Sequence, residues 1–286
     1  MPHSFGGAWT ERKLSVVRRY LDIYAQALKN QPFQRLYIDA FAGTGGRTEK
    51  RRETLPLLDL PEFEAVRKGS ARLALEVEPP FHRYVLIERA THRASELAML
   101  KSEFPSRQIE IINDDANDAI VGVCKTTNWR NTRGVVFLDP YGLQVTWDSL
   151  VAIAGSRALD VWVLFPSGMG LNRLLTKSGD IPQEWQETLD RSLGTRDWRS
   201  AFYRNELEAD LFEGPRSRTV KDADPMKLEK FYLDRLRTIF PTVMNKCIRL
   251  TNSKDQTMYL LCFACANPSA KAKALVTKLA GAAAKA

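Results

Sequence analysis

The chain predicts a doubly wound α/β fold, with a mostly parallel sheet and a helical insertion. Three observations predict it. Short apolar runs alternate with helical stretches, the pattern of parallel strands joined by right-handed crossovers. Four of those runs stop on acids, at Asp39, Glu88, Asp114 with Asp115, and Asp139. In open sheets ligands bind at the carboxyl ends of the strands, so these acids can face one crevice. The first run also leads into a turn built from Gly43, Gly45 and Gly46.

Taken in order, Leu14, Val17, Leu21, Tyr24 and Leu28 recur at spacings of three and four. That is an amphipathic helix, with Thr10 as its N-cap and Pro32 beyond its end. Leu36 to Ala40 reads as the first strand. Prolines 56 and 61 argue against a long helix after the glycine turn, so 47–68 reads as a loop insertion over the site. A helix is expected from Gly69, with Ser70 as cap. Strands are expected at Arg83–Glu88, Ile109–Asp115, Gly134–Asp139 and Val161–Pro166. Helices are expected near 91–104, at Ala116–Lys125 and at Trp147–Gly155. The stretch 170–242 shows no strong strand signal and reads as mainly helical. It is rich in tryptophan and charge, and its last helix opens at Pro225. Cys247–Leu250 and Thr257–Ala264 read as closing strands. The expected organisation is therefore 1–169 for the cofactor domain with its N-terminal helix, 170–242 for the insertion, 243–266 for the closing strands and 267–286 for an Ala/Lys-rich tail.

The formal net charge of +8 and a pI near 9.3 favour a polyanionic partner, nucleic acid first. No apolar run approaches the ~20 residues of a membrane helix. The segment from Met1 to Gly7 is neither basic nor apolar, so the expectation is a cytoplasmic protein without a leader. Cys262 and Cys265 lie in one apolar run and point to opposite faces of a strand, which makes them core cysteines rather than a metal pair.

The chemistry sits in two motifs. In Asp39-Ala40-Phe41-Ala42-Gly43-Thr44-Gly45 the glycines let bare amides approach a ligand, and Asp39 can receive its ammonium. Such a loop suits S-adenosylmethionine. Glu88 can then accept from ribose hydroxyls, and Asp114 or Asp115 from an adenine amino group. Asn117 reads as a capping residue. In Asp139-Pro140-Tyr141-Gly142 the carboxylate can accept a hydrogen bond from an amine, the Pro140 carbonyl can take the second N–H, and Tyr141 can stack on a base. Arg47, Lys50, Arg51 and Arg52 follow the glycine turn and suit phosphates.

Together these motifs resemble class I S-adenosylmethionine methyltransferases with a Rossmann-like fold, and among them amino-methyltransferases acting on nucleobases. Those usually carry Asp-Pro-Pro-Tyr. The second proline is absent here, as it is in the Asp-Pro-Phe-Gly of tRNA guanine-N2 dimethyltransferases. A resemblance covering most of the chain is to the bacterial three-Cys-motif partner (TcmP) family. It rests on Trp9-Thr10 with Lys13-Leu14, on Tyr37–Gly43, on Gly69-Ser70, on Phe137–Gly142 with Trp147, and on Tyr259–Ala264. That resemblance implies a methyltransferase-like fold and a protein partner bearing three cysteines.

The expected function is methyl transfer from S-adenosylmethionine to an amino group of a nucleic-acid base, without a metal. Two alternatives stand beside it. One is a non-catalytic subunit that binds nucleic acid or the three-cysteine protein. The other is a nuclease in which Asp39, Asp114 and Asp139 share a divalent ion, against which the glycine turn speaks.

Overall fold

The computed structural model describes residues 8–42, 62–210 and 214–285. Its centre is a sheet of eight strands. Five are parallel: β1 (Gln34–Asp39), β2 (Arg83–Ile87), β3 (Ile109–Ile112), β4 (Thr132–Leu138) and β5 (Leu159–Phe165). They stand in the order β3-β2-β1-β4-β5. This is the doubly wound arrangement, in which the chain reverses direction across the sheet between β1 and β4. β10 (Thr257–Cys265) adds antiparallel to β5. Its outer edge carries β8 (Thr242–Val243) and β9 (Ile248–Thr251) one after the other.

Helices cover both faces. α1 (Ala8–Ala27), α2 (Glu62–Leu75), α3 (Thr91–Glu103) and α10 (Ala270–Ala283) enclose one core with Tyr37, Phe137, Trp162 and Phe263. α4 (Ala116–Thr126), α5 (Trp147–Gly155), α7 (Gln183–Leu193), α8 (Trp198–Phe202) and α9 (Pro225–Arg237) enclose the other with Ile38, Val136, Leu138 and Val163. α6 is the short Asn172–Leu174. Strand residues alternate between the two cores, as the two-residue period requires. The fold is therefore Rossmann-like and three-layered, as the alternation of strands and helices predicts.

Several local expectations need correction. α1 already begins at Ala8 among the described residues, so Thr10 lies inside its first turn and is not the cap. α2 begins at Glu62, so Gly69 and Ser70 are in mid-helix and the loop cannot extend to 68. A glycine is tolerated there because α1 comes close: a Cβ on Gly69 would stand 3.2 Å from Leu14 Cδ1. The stretch 170–242 holds helices and also an antiparallel ribbon, β6 (Tyr203–Asp210) and β7 (Gly214–Lys221). Its Glu206↔Arg218 and Glu208↔Arg216 pairs carry opposite charges on both strands, so no apolar alternation betrays it. Cys262 and Cys265 do fall in opposite cores, but Cys262 is bonded to Cys247 across the β9–β10 edge. Fifteen residues separate the two, which hides the pairing in the sequence.

Two features generate predictions. Gly194 ends α7 with φ of 65°, and a Cβ there would meet the Trp147 ring at 2.1 Å. Left-handed backbone costs ~1–2 kcal/mol outside glycine and overpacking ~1–3 more. Gly194→Ala should therefore lose about 2–5 kcal/mol in urea unfolding.

Asp160 is buried on β5, where it accepts a hydrogen bond from Tyr20 Oη at 2.6 Å. Burial raises its carboxyl from 3.8 to about 6, against the lowering by hydrogen bonds from Cys265 and Tyr20. Stability from this group is complete below pH ~4 and is lost as pH rises through about 6. Measured by denaturation at each pH, Asp160→Asn should gain about 2–3 kcal/mol on the native chain between pH 4 and 7. A constant difference across that range would contradict this account.

Candidate functional site

The switch point places β1 and β4 side by side, with Asp39 in register with Phe137, one residue before the β4 end. Two-residue alternation turns Asp39 and Asp139 to the α1 face, alongside Tyr37 and Phe137. Asp39 is fully buried. Its Oδ2 accepts from Tyr37 Oη at 3.4 Å and its Oδ1 lies 3.4 Å from the Phe41 amide. Burial, with Asp39 and Asp139 nearby, holds the Tyr37 hydroxyl well above the ordinary phenol range, so it remains a neutral donor. Phe41 is half-buried against the opposite core.

Asp139 has a partner that the sequence reading missed. Lys13, from the second turn of α1, places Nζ 2.5 Å from Asp139 Oδ2, and both side chains are under 10% exposed. The ammonium also lies 5.6 Å from the Trp9 ring centre and 5.8 Å from that of Phe137. Trp9 in turn stacks on Tyr259 of β10 at 5.0 Å. A signal was present: a lysine on the same helical face as Val17, Tyr20 and Tyr24 needs a buried anion. The carboxylate is thus held by the chain's own cation.

Pro140 is buried and Tyr141 half-buried. Their turn, in which Gly142 takes φ of 63°, is tied down by Gln144, whose Oε1 accepts from the Tyr141 amide at 2.9 Å. The insertion packs against the same loop, since Ser192 of α7 donates to the Leu143 carbonyl.

Glu88 follows β2 and is buried. Its Oε1 accepts from the Ala90 amide at 2.8 Å and faces Arg93 at 3.5 Å. No protein donor reaches Oε2 among the described residues. Asp114 is exposed, with Oδ1 turned to the amide of Asp115. Asp115, not Asn117, caps α4, accepting from the Asn117 amide at 2.9 Å. Asn117 instead bridges to the loop beyond Asp139.

Gly43, Gly45, Arg47, Lys50, Arg51 and Arg52 lie outside the described residues. Among the described residues no three of His, Cys, Asp and Glu converge to hold a metal, so Asp39, Asp114 and Asp139 do not form the ion site of the nuclease alternative. No described helix is long and apolar enough to cross a membrane.

No family model matches the chain, and no curated protein matches it. Among solved structures it is similar to protein LPL1258 from Legionella pneumophila, at 17% identity, over 82% of this chain and 93% of that one, with a TM-score of 0.39. It is also similar to the N-terminal domain of EvdMO1, whose structure was determined with SAH and D-fucose, at 12% identity, over 88% and 82% of the two chains, with a TM-score of 0.35. A third is the 23S rRNA methyltransferase ErmE, at 14% identity, over 73% and 72%, with a TM-score of 0.26. At these scores the function has to be argued from the chain itself.

The Lys13–Asp139 pair predicts non-additive energetics. Lys13→Met leaves a buried carboxylate without its cation and should cost about 3–5 kcal/mol. The double variant Lys13→Met/Asp139→Leu removes both charges and should be more stable than Lys13→Met alone. Denaturant unfolding of the variants measures this, and additive losses would mean the pair is not coupled.

Proposed function

We propose that the chain transfers a methyl group from S-adenosylmethionine to an amino group, and that the amine belongs to a nucleic-acid base. The observation that supports this most is the meeting of Asp39 and the Asp139-Pro140-Tyr141 turn at the β1/β4 switch point, where doubly wound sheets take their ligands.

The donor set fits the cofactor. Asp39 ends β1 and suits the ammonium of the methionyl part, and Phe41, Gly43 and Gly45 of the motif that follows it in sequence would suit the rest of that part. Glu88 has one oxygen anchored by Ala90 and the other without a donor among the described residues, which suits ribose hydroxyls. Asp115 closes the far side near an adenine, with Asp114 beyond it. When bound, the cofactor supplies an electrophilic methyl on a sulfonium.

The chain's own task is then to hold an amine and take up its charge. Lys13 pairs with Oδ2 of Asp139 and fixes that oxygen, so that the carboxylate meets the acceptor pre-aligned. Asp139 accepts an N–H of the amine as the nitrogen turns its lone pair outward. The Pro140 carbonyl is a second acceptor, and Tyr141 offers a face for the base. Positioning of this kind can supply ~7 kcal/mol or more of a barrier.

One observation favours a second reading. Asp139 Oδ2 is already taken by Lys13, as befits a structural ion pair in a non-catalytic subunit. Such a subunit would use the crevice or its basic surface to bind nucleic acid or the three-cysteine partner that the family resemblance implies. Salt-dependent binding through Arg47, Lys50, Arg51 and Arg52 belongs to either reading.

Titration calorimetry with S-adenosylhomocysteine and a methyl-incorporation assay on mixed DNA and RNA oligomers separate them. The chain should bind the ligand and label nucleic acid. Asp139→Asn, which keeps an oxygen for Lys13, should keep ligand affinity within a few-fold while lowering turnover at least ~100-fold. Ligand binding without labelling on any oligomer would favour the second reading, and no heat at millimolar ligand would refute methyl transfer.

A further inference from the structure

Asn117 joins α4 to the loop that follows Asp139. It lies in the first turn of α4, two residues after Asp115. Its Nδ2 donates to Asp115 Oδ1 at 3.2 Å and to the Gln144 carbonyl at 3.1 Å. Its Oδ1 accepts from the Thr146 amide at 2.9 Å and from Ser149 Oγ at 2.9 Å. Both amide hydrogens and the carbonyl oxygen are therefore used. Gln144 carries the connection on, because its side chain holds the Tyr141 amide at 2.9 Å. An unbroken run of hydrogen bonds thus leads from the acid after β3, through Asn117 and Gln144, to the residue two beyond Asp139.

The loop on the far side is held as well by Ser192, which donates to the Leu143 carbonyl, and by Val145 in the core. It leaves β4 at Asp139, turns at Gly142 with φ of 63°, and re-enters helix at Trp147. Thr146 caps α5 through its hydroxyl, while its amide is given to Asn117. The position of the 141–146 backbone is thus tied to the carboxylate of Asp115.

We infer that Asn117 is a positioning residue that couples occupancy of the adenine side of the crevice to the order of the amine-binding loop. This rests on the methyl-transfer reading, with Asp115 beside the nucleoside. A ligand that engages Asp115 restrains the carboxylate, Asn117 hands that restraint to Gln144 and Thr146, and the turn bearing Pro140 and Tyr141 stiffens. Ordering already supplied by one ligand need not be supplied by the next, so cofactor binding prepares the acceptor side without a change of shape. By reciprocity, an acceptor bound to the loop favours the cofactor by the same factor.

Hydrogen exchange tests this without any turnover. In the native chain, saturating S-adenosylhomocysteine should slow exchange at the Tyr141 and Thr146 amides about fivefold or more. Asn117→Asp has the same size and keeps the acceptor oxygen, but loses both donations. It should still bind the ligand, by calorimetry, while the slowing at both amides disappears. Gln144→Ala leaves Asp115 and Asn117 in place. It should lose the effect at Tyr141 and retain it at Thr146, and it decides the matter if Asn117→Asp fails to fold. A residue with a merely structural role would raise exchange equally with and without ligand. Equal slowing in the native chain and both variants, or ligand binding that leaves these amides unchanged, would overturn the coupling. Absence of ligand binding to the native chain would instead overturn the reading on which it rests.

Discussion

An ammonium and a carboxylate buried together at the switch point constrain everything around them. Removing two ions from water costs several kcal/mol each, and the attraction between them recovers that only in good geometry with other polar groups satisfied. The surroundings of Lys13 and Asp139 meet those terms. Trp9 and Phe137 turn their rings to the cation, and Tyr37 offers a neutral hydroxyl to the neighbouring Asp39. Because Lys13 comes from α1, the pair also fixes where that helix crosses the sheet. The rest of the α1 face, from Val16 to Ala25, then packs on Tyr37, Trp162 and Phe263.

The same arrangement explains which parts of the molecule were legible in sequence. β1 to β5 are short and apolar, and β1 to β4 run into acids. Burial on both faces writes them as continuous runs, and the acids follow because carboxyl ends meet solvent or ligand. Lys13 was harder, since a charged residue inside a helical stripe reads as solvated until its anion is known. That anion lies more than a hundred residues away. Asn117 looked like a cap because caps favour its residue type, yet the acid two residues earlier won that position. The β6–β7 ribbon stayed hidden for another reason. Its strands show no alternation of apolar residues in sequence, and their register pairs Glu206 with Arg218 and Glu208 with Arg216.

The two polar systems of the crevice differ in kind. On the α1 side the contacts are ionic and almost dry, with little room to rearrange. On the α4 side they are hydrogen bonds of half-buried amides, centred on Asn117 and Gln144 and anchored on the Asp115 carboxylate. Ionic contacts in a low dielectric are stiff, whereas partly hydrated amides exchange partners at small cost. A crevice with one rigid wall and one compliant wall can hold a small ligand firmly and still admit an acceptor of variable outline.

The position of β10 has a consequence for how the molecule is made. It lies between β5 and the β8 edge, far along the chain from α1. The aromatic face of α1 is completed by Tyr259 and Phe263, so the packing of this helix stays unfinished until β10 has been synthesised. At ~5–20 residues per second this is a delay on the order of ten seconds or more, during which a nascent apolar helix is exposed. A chaperone that shields emerging helices would act on this chain early and let go late, and premature termination anywhere before residue 257 would release a product unable to close its own core.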